Sequence, residues 1–119
     1  MKYSKAHTIL YYLNGSDPVI SLIKDLAQEH ALTLYKAEAI SDVLAVPYIL
    51  AIIDARFLGD RFYQFMRDPD YIELFSGEKL VLSGNTSQIP KDVRKHFIIP
   101  GKITQELLSG LLLTEEAYF

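Results

Sequence analysis

A run of six apolar residues, Tyr48-Ile49-Leu50-Ala51-Ile52-Ile53, dictates most of the architecture this chain can adopt. A stretch this short, with no polar alternation, is what a strand covered on both faces looks like, and such strands belong to parallel sheets. Parallel neighbours need long crossovers, and those crossovers put helices over the sheet. The run stops at Asp54, so a carboxylate stands at its carboxyl end. In open α/β sheets that end is where ligands are handled.

The flanking sequence supplies the remaining layers. Thr8-Ile9-Leu10-Tyr11-Tyr12-Leu13 is β-branched and aromatic, and Asn14-Gly15 stops it, giving a first buried strand. Ser16 or Asp17 then caps a helix with Pro18 in its first turn. Val19, Ile20, Ile23, Leu26 and Ala27 make one apolar stripe through to about His30. Leu32 to Tyr35 is a second strand, and a short helix over Glu38–Leu44 precedes Pro47. Phe57–Asp68 has helical spacing with Phe62, Phe65 and Met66 inward, followed by a ragged turn over Asp70–Gly77. Lys79–Leu82 is a fourth strand, Pro90 opens a short helix through Lys95, and Phe97-Ile98-Ile99 is a fifth strand. Ile103 to Leu113 forms the last helix. Five strands alternating with helices predict an α/β domain with a mainly parallel sheet and helices on both faces.

At 119 residues the chain is one domain, 1–119, by the usual scale of roughly 150 residues per domain. Its 12 Lys+Arg against 15 Asp+Glu leave a net charge of -3, which argues against a nucleic-acid partner held by phosphate contacts. The absence of cysteine excludes disulfides, thiolate zinc sites and Cys nucleophiles. The longest apolar stretch, Val43 to Ile53, is broken by Pro47 and is too short for a bilayer, so no membrane partner is expected. The N-terminal residues carry no signal-peptide pattern, and the expected location is cytoplasmic.

Ile49 to Asp60, with Asp54 at the strand end and Gly59 after it, resembles the phospho-accepting strand and following turn of the receiver domain of bacterial two-component response regulators. Phe62 to Asp70 is similar to that family's third helix and its exit. Leu80-Val81-Leu82-Ser83-Gly84 is similar to the fourth strand, Ile98-Ile99-Pro100 to the bend after the fifth, and Ile103–Leu113 to the last helix. The resemblance spans essentially the whole chain. It implies a flavodoxin-like doubly wound sheet of five parallel strands in the order 2-1-3-4-5.

A receiver needs a carboxylate nucleophile, matched by Asp54, and a hydroxyl that bonds the transferred group, matched by Ser83. It also needs two carboxylates after the first strand for Mg²⁺. However Tyr12 to Pro18 is aligned, those two positions are neutral. The family's fifth-strand lysine is replaced by Ile99, leaving Lys102, past the bend, as the one cation that could stand in. It reads as a solvated lysine in the first turn of the last helix. The resemblance therefore implies a degenerate receiver, with Asp54 and Ser83 as vestigial phospho-site residues. Mg²⁺ is not expected; were it bound, its ligands would be Asp17, Asp54 and the backbone carbonyl of Arg56, whose side chain is given no role. A plainer reading of Asp54 is a strand terminator that accepts nearby N–H groups, and one of Ser83 is a turn former.

Ile103, Leu107, Leu108, Leu111 and Leu112, widened by Leu113, exceed what one side of a short helix can bury. An exposed remainder marks an interface, so a homodimer or a docked protein partner is expected on that helix. The leading reading is a stand-alone, phosphorylation-impaired signalling module, not an enzyme, with a protein partner in a bacterial pathway. Two alternatives stay open. One is a working phospho-acceptor using Asp54 with Mg²⁺. The other is an atypical regulatory module like that of flagellar transcription activators, to which Lys91-Asp92-Val93-Arg94 and Ile98-Ile99-Pro100 are similar.

Overall fold

Leu10, Ala51, Ile53, Leu80 and Leu82 point to one face of the central sheet, while Ile9, Tyr11, Leu50, Ile52 and Val81 point to the other. That alternation follows from the period-two geometry of a strand, and both faces are buried because both carry helices. The computed structural model describes residues 7–70 and 79–113. The ragged turn expected over Asp70–Gly77 lies, beyond Asp70, outside the described residues.

Among the described residues the elements are β1 (Thr8–Tyr12), α1 (Val19–Glu29), β2 (Thr33–Lys36), α2 (Ile40–Ala45), β3 (Leu50–Asp54), a 3₁₀ turn (Ala55–Phe57), α3 (Asp60–Arg67), β4 (Leu80–Ser83), α4 (Lys91–Arg94) and α5 (Gln105–Leu113). The sheet has four strands in the order β2-β1-β3-β4, and every pairing is parallel. Ile23, Leu26 and Ala27 of α1 and Leu108 and Leu111 of α5 cover one face. Val43 of α2, Phe62, Tyr63 and Met66 of α3, and Val93 of α4 cover the other. Leu50 to Ile53 have no exposed surface at all, as their unbroken apolar run requires.

The expected fifth strand is reduced to a single parallel bridge between Val81 and Ile98. Ile98 donates its N–H to the Leu80 carbonyl (2.7 Å) and accepts from the Leu82 N–H (3.0 Å). The next ladder bond would need an N–H from residue 100, which is proline and has none. On the other side, His96 is committed to the turn leaving α4, its N–H bonded to the Val93 carbonyl. The fifth position beside β4 is thus occupied, but the sheet proper ends at four strands.

Helix ends follow local chemistry. The Asp17 carboxylate accepts the Val19 N–H at 2.9 Å, and Pro18 sits at φ −64°. Asp42 reaches back to the N–H groups of Glu38 and Ala39, at 2.8 and 3.4 Å. The α1 helix ends with Ala31 in the left-handed region (φ 54°), while Leu32 bonds the Ala27 carbonyl at 2.8 Å and Ala31 the Gln28 carbonyl at 3.4 Å. This is a Schellman closure without the usual glycine. The last helix starts later than the sequence predicts: Thr104 Oγ1 accepts the Leu107 N–H at 3.1 Å, so Lys102 lies in the preceding bend and not in a helical turn. At its far end, buried Lys79 donates its Nζ to the Leu111 carbonyl, a cation placed on the negative pole of α5.

Candidate functional site

The strand ends converge on Asp54. It closes β3, is only 4 % exposed, and faces Ser83 of β4 directly in register. Its backbone is still extended (φ −71°, ψ 124°), and its carboxylate caps the 3₁₀ turn by accepting the Arg56 N–H at 2.9 Å. That turn carries the Arg56 side chain back over the residue two before it. The guanidinium then grips both oxygens, with Nη2 to Oδ2 at 2.8 Å and Nε at 3.2 Å from each. The two partners differ sharply in exposure, since the Arg56 side chain is 62 % exposed and that of Asp54 5 %.

Burial pushes the Asp54 carboxyl up, but the hydrogen bonds from the Arg56 guanidinium and N–H, with its charge, outweigh it and hold the pKa below the ordinary carboxylate value. Arg56 is shifted upward by its hydrogen bond and charge interaction with Asp54, and to a smaller degree by Asp17. Asp17 therefore belongs to the same edge, although its carboxylate is occupied with the α1 cap.

Two features shape the surroundings. Gly84 takes φ +85°, and a Cβ there would lie 3.2 Å from Asp54 Oδ1, so only glycine lets the chain pass this close to the carboxylate. On the opposite side, Tyr12 at the end of β1 stacks on Phe57 with ring centroids 4.4 Å apart and planes at 21°. Beyond β4, a cavity of about 240 Å³ is lined by Val19, Ser83, Gly84, Pro100, Lys102 and Ile103 among others.

The structure brings Asp54, Ser83 and Arg56 together and leaves Lys102 exposed on the cavity rim. The expectation of an acid without a counter-charge is overturned. Arg56, given only a backbone role from the sequence, supplies a cation through its side chain. The readable signal was the Asp-x-Arg spacing directly after a strand, where an Asx-type turn folds the third residue back over the first. Arg56 also decides how the edge fits Mg²⁺. Both Asp54 oxygens accept from the guanidinium, Asp17 accepts from Val19, and no three His, Cys, Asp or Glu residues among the described ones gather to hold a metal. A hard cation that needs free anionic oxygens does not suit this donor set.

The apolar surplus expected on the last helix is largely absorbed by packing. Leu108 and Leu111 are buried, and Ile103, Leu107 and Leu112 are half-covered against the same core. Its exposed positions are Glu106, Gly110 and Leu113. Of the five residues named from the sequence, two are thus buried and three partly covered. Among the described residues no helix is long and apolar enough to cross a membrane.

Comparison of the chain with protein-family models, curated proteins and solved structures gave no match in any of the three.

Proposed function

We propose that this protein is a receiver-like signalling module that no longer takes a phosphoryl group and works through contact with a protein partner. The sheet order and the bridge at Ile98 are compatible with a flavodoxin-like arrangement in which the fifth strand has shrunk to one residue pair. The observation that carries the reading is the Asp54–Arg56 grip. A carboxylate nucleophile attacks with an oxygen lone pair, and here both oxygens are engaged by a guanidinium tethered two residues away. That contact lowers the electron density on the attacking oxygen and occupies the volume in which a phosphodonor would approach. Among the described residues no three His, Cys, Asp or Glu gather to hold the divalent ion that phosphoryl transfer relies on. In this reading Asp54 is retained as a structural anchor of the strand-end loop, and Ser83 faces it without a transferred group to bond.

The test is incubation with acetyl phosphate and Mg²⁺, followed by intact-mass measurement. The expected result is no mass gain on the native chain. A stoichiometric phosphoryl adduct mapped to Asp54 would overturn the proposal and restore the phospho-acceptor reading.

A further inference from the structure

Three of the four arginines are immobilised. Arg56 is held by Asp54, Arg67 by Asp92 at 2.7 Å, and Arg94 by the carbonyls of Thr86 and Ile89. Arg61 is the exception: it makes no hydrogen bond or ion pair with another described residue, and its side chain lines the mouth of a cavity of about 230 Å³ between α2 and α3. The cavity walls are Ile40 and Leu44, one turn apart on α2, and Phe62 and Phe65 on α3, with the exposed Ser41 and Arg61 also lining it. Its four apolar lining residues are buried or partly covered, and its two polar ones are exposed. The nearby Asp42 carboxylate accepts the N–H groups of Glu38 and Ala39.

From this the geometry points to a binding site for a small monocarboxylate with one aromatic ring, its ring between Leu44 and Phe65 and its carboxylate on Arg61 and Ser41. Size supports one ring and no more. A cavity of roughly 150 Å³ admits benzene, whereas drug-sized ligands fill roughly 300 Å³ or more. An unpaired guanidinium matches a carboxylate in planar, two-point geometry that neither a neutral nor a cationic head reproduces. The site lies on the sheet face opposite α1 and α5.

Phenylacetate titrated into ¹⁵N-labelled protein tests the site, with benzyl alcohol and phenethylamine as neutral and cationic controls. The expected result is saturable amide shifts confined to residues 40–44 and 61–65, strongest for phenylacetate. R61Q, at an exposed position that leaves the core intact, should weaken binding about tenfold, the loss of one charge-assisted contact. S41E, which supplies a resident carboxylate to Arg61, should abolish it. Absence of shifts at millimolar phenylacetate, equal binding of phenethylamine, or an unchanged affinity in R61Q would each overturn the inference.

Discussion

Asp54 and Arg56 form a closed ring in which one residue's carboxylate accepts both the backbone N–H and the guanidinium of the other. Because the backbone bond fixes where the arginine side chain begins, the side-chain contact loses less rotamer freedom than an ion pair between distant residues. A buried acid at a strand end is stabilised only if its charge is met, and this turn meets it from within three residues. The same contact that makes the acid tolerable also makes it a poor nucleophile.

Removing the cation should raise the Asp54 pKa from its native position. In the native chain the folded pKa lies below the unfolded one, so its stabilisation is present above about pH 4 and is lost as acid drives the pH through the folded value. In Arg56→Gln the backbone N–H bond to Asp54 remains but the guanidinium bonds and charge are gone, so the carboxyl moves up from its native position and the stabilisation above about pH 4 shrinks. Carboxyl ¹³C titration reads the pKa directly, and urea midpoints between about pH 3 and 7 read the linkage. An Asp54 pKa unchanged in the variant would show that the guanidinium contact is not formed in solution.

The two left-handed positions among the described residues should respond in opposite directions to exchange between glycine and alanine. Gly84→Ala imposes a side chain at φ +85° and sets its Cβ against Asp54, so a loss of about 1–2 kcal/mol or more is expected from the backbone conformation alone.

Ala31→Gly should stabilise, because Ala31 already carries the left-handed strain at φ 54° that glycine avoids. A gain of roughly 0.5–1 kcal/mol is expected once the greater freedom of glycine in the unfolded chain is subtracted. Thermal unfolding resolves this, since about 1 kcal/mol moves Tm by roughly 4 °C in a domain of this size.

These positions show what was legible in the sequence. The apolar run ending in Asp54 revealed a two-sided central strand because its physics is local: every residue must be covered, so every residue is apolar. The α1 stripe was readable for the same reason. The fifth strand was over-read, because Phe97-Ile98-Ile99 has strand composition while the limit on its length lies in a missing N–H at Pro100 and in the turn at His96. On α5 the sequence shows an apolar stripe but not its depth: Leu108 and Leu111 join α1 in one buried cluster, Leu107 and Leu112 are partly covered, and Leu113 is exposed. Arg56 is legible only in part: the Asp-x-Arg spacing after a strand signals it, but the grip also needs the 3₁₀ turn that folds its side chain back. The stack of Tyr12 on Phe57 joins residues 45 positions apart, a pairing visible only once β1 lies beside β3.

Restoring the missing donor should lengthen the sheet. Pro100→Ala gives residue 100 an N–H in register with the Leu82 carbonyl, two residues beyond the Ile98 bond. Native-state hydrogen exchange should then show a protected amide at position 100, alongside that of Ile98. An amide that exchanges as fast as those of an exposed loop would mean that the bend, and not the proline's missing donor, ends the ladder.

The Tyr12–Phe57 stack should couple the end of β1 to the loop that presents Asp54. Phe57 is the last residue of the 3₁₀ turn that carries Arg56, so its ring anchors the turn against the neighbouring strand. Offset aromatic pairs contribute about 0.5–1.5 kcal/mol beyond the area they bury. A double-mutant cycle with Tyr12→Leu and Phe57→Leu, which keeps apolar bulk and removes the ring pair, should therefore give a coupling energy in that range. The coupling should also reach the acid, because loosening the turn lets the guanidinium drift from the carboxylate. The Asp54 pKa in Phe57→Leu is accordingly expected to move upward, toward that of Arg56→Gln. A cycle that closes to zero, with the Asp54 titration unchanged, would show that the turn is held by the Asp54 bonds alone and that the rings merely touch.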